Sequence, residues 1–162
     1  MTGAPPVPTG MALALEQARA AADRGEVPVG AVLIDEGGAV VAAFGNQVEQ
    51  DHDPTAHAEM LALRAGAARL GMKRLAGCDF YVTLEPCPMC AAAISLAHIR
   101  RLYFAAYDPK GGGVEHGPRI FEQPTCHHRP EVYGGIAERA AAALLRKFFR
   151  ERRSSDIARK SC

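Results

Sequence analysis

Two cysteines three residues apart, in the run Glu85-Pro-Cys-Pro-Met-Cys90, constrain this chain more than any other feature of its 162 residues. The run follows a β-rich apolar stretch, Asp79–Leu84, and opens an apolar stretch that reads as a helix, so it lies at a strand-to-helix junction. Helix positions i and i+3 share a face, and Cys87 and Cys90 can therefore point at one object. The chain carries five cysteines, an odd number. Its opening residues, MTGAPPVPTG, hold no apolar core, and the first Lys or Arg is Arg19, so no secretory leader is expected. The thiols are then expected in a cytoplasmic setting, where paired cysteines more often bind metal or do redox work than form disulfides. No apolar run approaches the length of a bilayer span, and no membrane partner is expected.

If the shared object is zinc, further ligands are required, because zinc takes four. His57-Ala-Glu59 stands at the start of another predicted helix. His57, Cys87 and Cys90 make three ligands, each at a helix N-terminus, where the positive end of the helix dipole favours thiolate. Three protein ligands with one open position is the catalytic pattern and implies one Zn2+ per chain. Two thiolates offset the charge of the ion, so its water is acidified less than in a site of three histidines. A carboxylate beside that water then becomes useful as a proton acceptor, and Glu59 is placed for it. Three other readings stand beside this one. The cysteines can form a thioredoxin-like redox pair. The site can be a closed structural one, with Cys78, Cys126, His52, His127 or His128 as fourth ligand. Glu59 can simply complement the dipole of its helix.

The remaining pattern alternates strands and helices. Met11–Arg24 reads as a helix ended by Gly25, and VGAVLIDEGGAVVAAFGN as two strands joined through Asp-Glu-Gly-Gly. Residues 46–56 are polar and read as a loop. His57–Leu70 reads as a helix, Asp79–Leu84 as a strand, and the stretch from Pro88 as a helix. Arg101–Tyr107 reads as a further strand and Glu131–Tyr133 as a short last one. Residues 108–130 form a long Gly/Pro/His-rich segment, of a length that in a compact domain is often functional. Ile136, Ala140, Leu144 and Phe148 recur every four residues and predict an apolar face on a final helix. An α/β layer fold with helices on both faces is expected.

Net charge is +1, unevenly spread. From Arg139 onward eight Lys/Arg face two acids, and before it eleven face sixteen, so a basic C-terminal segment follows a mildly acidic body. That asymmetry points to a polyanionic partner or to a solvated helix face.

His-x-Glu followed by Pro-Cys-x-x-Cys is a signature of zinc-dependent nucleobase and nucleoside deaminases, a group for which the physical chemistry is well worked out. The chain resembles the bacterial tRNA-specific adenosine deaminases more closely still. The likeness runs through Gly25–Val32, Gly45–Asn46, His52–Arg64, Tyr81–Ile94, Ala106–Gly112 and Leu144–Arg153. It implies a cytidine deaminase-like α/β/α sandwich, three layers with a mixed central sheet of about five strands. It places one domain over residues 9–153, between a flexible segment, 1–8, and a basic flexible tail, 154–162. It implies hydrolysis of adenosine to inosine at the tRNA wobble position, with zinc activating water and Glu59 carrying its proton to N1 and then to the departing amine. Asn46 would hydrogen-bond the nucleoside, Pro28, Val29 and Leu84 would wall the pocket, and Asp108 would contact the neighbouring nucleotide. Phe148, Phe149, Arg150, Arg152 and Arg153 would engage the anticodon stem-loop, and two chains would pair as a homodimer. The stretch GGGVEHGPRIFEQPTCHH departs from the family pattern, which leaves a free nucleobase or nucleoside (guanine, cytosine or cytidine) as the alternative substrate.

Overall fold

The computed structural model describes residues 6–161. The expected flexible segment 1–8 lies largely outside that range, and residues 6–8 are irregular and exposed. The elements follow in the order α1 (Thr9–Asp23), β1 (Gly30–Ile34), β2 (Val40–Gly45), α2 (Val48–Asp51), α3 (Ala58–Leu70), β3 (Asp79–Leu84), α4 (Pro88–Leu96), β4 (Arg101–Ala106), β5 (Glu131–Tyr133) and α5 (Glu138–Lys160).

The five strands form one mixed sheet in the order β2-β1-β3-β4-β5. β1 is antiparallel to both β2 and β3, whereas β3, β4 and β5 run parallel. Alternation of side chains along each strand divides the core in two. On one face Leu33, Phe80, Val82, Leu102 and Phe104 pack with Ala58 and Ala62 of α3 and Ala91 and Ile94 of α4. On the other, Val32, Ala105 and Ala106 pack with Met11, Ala14 and Leu15 of α1 and Ala141 of α5. The three-layer α/β/α sandwich with a five-stranded mixed sheet is thus the observed architecture.

The register brings the working ends of several elements to one edge. Gly30 pairs with Gly45 and Ala31 with Val82, so the start of β1, the end of β2 and the end of β3 coincide there. β4, parallel to β3, ends at the same edge. Residues 26–29, 46–57, 84–87 and 107–117 all emerge there, where the strand direction changes between β1 and its neighbours. Such a switch point leaves a crevice between diverging connections.

Two local expectations differ from what is found. Residues 46–56 contain one helical turn, α2, because the buried Glu26 carboxylate accepts the N–H groups of Glu49 (3.1 Å) and Gln50 (2.8 Å) at its start. On α5 the buried residue is Ala141 and Ala140 is exposed. A repeat of four advances about 40° beyond one full turn at each step and drifts off a single face. The same helix continues through residues 154–160, within the segment 154–162 expected as a basic flexible tail. Ser154 and Ser155 hydroxyls donate to the carbonyls of Arg150 and Glu151, four residues back, which the helical path itself makes reachable. No helix among the described residues is long and apolar enough to cross a membrane.

Candidate active site

His57 and Cys87 are both N-cap residues, of α3 and α4 respectively, and Cys90 stands one turn into α4. Pro88 follows Cys87 at the first helical position, where an absent N–H costs nothing. The His57 carbonyl accepts from Leu61 N–H and the Cys87 carbonyl from Ala91 N–H, so each ligand's backbone is fixed by its own helix. The His57 Nδ1 lies 3.6 Å from Cys87 Sγ and 3.5 Å from Cys90 Sγ. Zinc bonds of about 2.3 Å to sulfur and about 2.0–2.1 Å to nitrogen put neighbouring atoms of a tetrahedron about 3.6 Å apart, and the observed separations match. These residues form the one group of three or more potential ligands among the described residues. The donor set fits zinc. None of Cys78, Cys126, His52, His127 or His128 belongs to the cluster, so no fourth ligand closes it.

Cys126 and His128 serve the loop instead. His128 Nε2 donates to the Ile99 carbonyl (2.7 Å), while Ser95 Oγ and the Cys126 thiol donate to the His128 carbonyl (2.7 and 3.1 Å). Together they dock the end of the 108–130 segment on α4.

The ligand cluster opens into a cleft of about 350 Å³ at the switch point. His57, Glu59 and Cys87 line it, with Val29, Asn46, Leu84 and Asp108 on its walls. Pro28 is buried but does not line the cleft. Val29 N–H bonds to the Val27 carbonyl (2.8 Å), a three-residue turn centred on Pro28 that presents Val27 and Val29 in its place. The backbone of Asn46 is pinned, its N–H on the Val29 carbonyl (3.0 Å) and its carbonyl on the Arg24 guanidinium (3.3 Å).

Protonation follows from these surroundings. Burial pushes Glu59 up to about 7, against the pull of its backbone amide and of His57. The hydrogen bond from Cys90 and the contact with His57 hold the Cys87 thiol down to about 4, while the same sharing pushes Cys90 up. A carboxyl group able to both take and return a proton therefore stands beside a cysteine, Cys87, that favours thiolate.

Glu26, Val27, Val48, Glu49, Glu85 and Gly111 also line the cleft and carried no functional expectation. Glu26 and Glu85 had one available signal, an acid set within buried apolar runs. The expected RNA residues lie on α5. Phe149, Arg150 and Arg153 share a surface groove with Leu145 and Arg146, and Phe149 is 43% exposed. Arg152 lies instead with its Cζ 5.5 Å from the centre of the Phe148 ring, which meets Phe149 edge-on.

Comparison with known proteins gives a consistent result. The family described as "Cytidine and deoxycytidylate deaminase zinc-binding region" matches residues 8–106, which hold all three ligands and Glu59. The tRNA-specific adenosine deaminase of Agrobacterium fabrum is 58% identical over 90% of this chain and 95% of its own. That of Bacillus subtilis is 40% identical over 91% and 92%. Among solved structures, one of the tRNA:A34 deaminases superposes with a TM-score of 0.82 at 57% identity, covering 84% of this chain and 98% of that one. A guanine deaminase from Nitrosomonas europaea gives 0.74 at 27% identity, over 86% and 82%.

Proposed function

The chain belongs to the tRNA-specific adenosine deaminases within the cytidine and deoxycytidylate deaminase zinc-binding family, and on that premise we propose that it converts adenosine to inosine at the wobble position of a tRNA, releasing ammonia. The observation that carries this reading is identity of 57–58% along nearly the whole chain to proteins of that activity, against 27% to a guanine deaminase.

His57, Cys87 and Cys90 would hold zinc, which would supply Lewis acidity and make a water molecule more acidic than in bulk. Glu59 would take a proton from that water and pass it to N1 as the C6–O bond forms, then carry the C6 hydroxyl proton to the amine, which leaves as ammonia as the C6–N bond breaks. Val29 and Leu84 bracket the ring and exclude water, and Asn46 hydrogen-bonds the nucleoside. The backbone N–H groups at the start of α4 face the developing charge at C6. Asp108, at the mouth, meets the flanking nucleotide. Phe149, Arg150, Arg152 and Arg153 grip the anticodon stem-loop through phosphates and stacking.

The proposal includes a homodimer acting in the cytoplasm, where tRNA is modified. Pairing is supported by Leu96, 76% exposed and lining a groove of about 650 Å³ along α4, and by Met72, 48% exposed and next in sequence to the lining residue Lys73. Sedimentation equilibrium of the zinc-loaded protein tests it, and a monomer at micromolar concentration refutes it. The reaction is tested by incubating the protein with total bacterial tRNA and with a panel of free bases and nucleosides. Inosine is expected in digested tRNA; turnover of guanine or cytidine with no inosine in tRNA would overturn the assignment.

A further inference from the structure

Residues 108–117 leave β4 and pass the mouth of the cleft, held by a carboxylate two residues before a zinc ligand. The Glu85 side chain is fully buried. Its Oε1 accepts from the backbone N–H groups of Val114 (3.3 Å), Glu115 (2.8 Å) and His116 (3.0 Å). Its Oε2 accepts from the Asp108 N–H (2.9 Å) and from His116 Nδ1 (2.8 Å). An ionised carboxylate only accepts, so the imidazole carries its proton on Nδ1 and donates it.

The glycines belong to the same device. A Cβ at Gly112 would stand 2.5 Å from Glu85 Oε1, and one at Gly113 would stand 2.6 Å from Pro88 N and 2.9 Å from the Cys87 carbonyl carbon. Gly113 N–H bonds to the Pro86 carbonyl and Gly112 N–H to the Asp108 carbonyl, so these amides face protein rather than a phosphate. The Asp108 side chain is set locally, its Oδ1 accepting from Lys110 N–H (3.1 Å) and Gly111 N–H (2.9 Å). What remains free is the position of the Asp108 backbone, and that is where Glu85 acts.

We propose that Glu85 and His116 are positioning residues for substrate selection: by anchoring residues 108–116 they aim Asp108 and Gly111, and so set which nucleotide beside the target adenosine the cleft accepts. This rests on the reading of the cleft as a nucleoside pocket. Asp108 and Gly111 line the cleft, whereas His116 does not, so loss of the anchor shifts the mouth while the ligands and Glu59 stay in place.

The test uses the zinc-loaded full chain with His116→Ala, His116→Gln and Glu85→Gln, on anticodon stem-loop RNAs that differ only in the nucleotides flanking the target. His116→Ala is expected to keep one zinc per chain and to lose about tenfold in kcat/KM, through KM, as fits a lost hydrogen bond to a charged group. The spread of kcat/KM across flanking nucleotides should shrink, and His116→Gln, still a donor, should restore most of it. In Glu85→Gln one acceptor oxygen becomes a donor, so the amides of Asp108, Glu115 and His116 should exchange hydrogen about tenfold faster or more. Flanking preference and KM equal to wild type in folded, zinc-loaded His116→Ala and Glu85→Gln would overturn the proposal. If the wild type makes no inosine on any of these RNAs, the functional reading fails instead. Exchange then still decides the anchor: unchanged protection in Glu85→Gln overturns it, and lost protection supports it.

Discussion

Three glutamates are buried around one cleft, and their partners separate them into two kinds. A carboxylate taken out of water must be paired, hydrogen-bonded or neutralised. Glu26 satisfies this with the amides of Glu49 and Gln50, and Glu85 with four amides and an imidazole. Glu59 has no such set, and burial pushes it up to about 7. Glu26 and Glu85 therefore use their oxygens to hold backbone, and Glu59 is the one proposed to move a proton. Glu59→Ala is expected to lower single-turnover inosine formation by about 10²–10⁴-fold, the usual worth of a general base, while metal analysis still finds one zinc per chain. Turnover near the wild-type rate would reject that role. The motif made His57, Glu59, Cys87 and Cys90 legible, because metal chemistry restricts residue type and spacing together. For Glu26 and Glu85 the apolar setting was a signal, but what they hold was not legible. Their partners are backbone amides 23 to 31 residues away, and an amide looks alike at every position.

The regular elements were readable for a different reason. Apolar periodicity and glycine stops mark α1 and α3 within two residues, α4 begins at Pro88 as read but ends at Leu96 rather than Ile99, and apolar runs mark the strands. Residues 108–130 were read as irregular, which they are apart from a 3₁₀ turn at Ile120–Glu122, but their anchors were not visible. Close approach explains the glycines, and it makes a prediction. Gly113→Ala pushes a Cβ into the backbone of Pro88 and Cys87, which neither helix nor metal ligand can yield freely. A loss of about 1–3 kcal/mol is expected in urea unfolding, the usual cost of overpacking, together with weaker zinc retention. A midpoint unchanged from wild type would show that the loop does not rest where it is placed. On α5 the arginines of the Phe149 groove invite the converse experiment. Arg150 and Arg153 are exposed, so replacing both with alanine should leave thermal stability unchanged. Each phosphate contact contributes roughly 0.7–0.9 to the slope of log affinity against log salt, so the RNA-binding slope should flatten by about 1–2. An unaltered slope would move the RNA off this helix.

At the scale of the molecule the cleft exists because the sheet changes direction. The β2-β1 hairpin was readable from its turn, but the order β2-β1-β3-β4-β5 was not, since pairing partners distant in sequence leave no local trace. That order sets α3 and α4 side by side on one face, with both N-termini at the switch point. The positive helix ends favour thiolate on the cysteines, and two thiolates repel one another less when a cation is shared between them. Zinc should therefore act as a cross-brace between two helices as well as a reagent. A ligand that binds the folded state alone stabilises it by about 4 kcal/mol at a thousandfold excess over its dissociation constant. In a domain of this size that corresponds to roughly 10 °C of melting temperature. Complete chelation, verified by metal analysis, is expected to lower the melting temperature by about that much and readdition of zinc to restore it. Cys90→Ser should melt at the chelated temperature and ignore chelator, because removing one corner of the triad removes the brace. Glu59→Ala should respond to chelator as fully as wild type, since it holds no metal. If metal-free and metal-loaded protein melt together, the two helices are held by packing against the sheet alone, and the contacts of His57 with Cys87 and Cys90 persist without help from the ion.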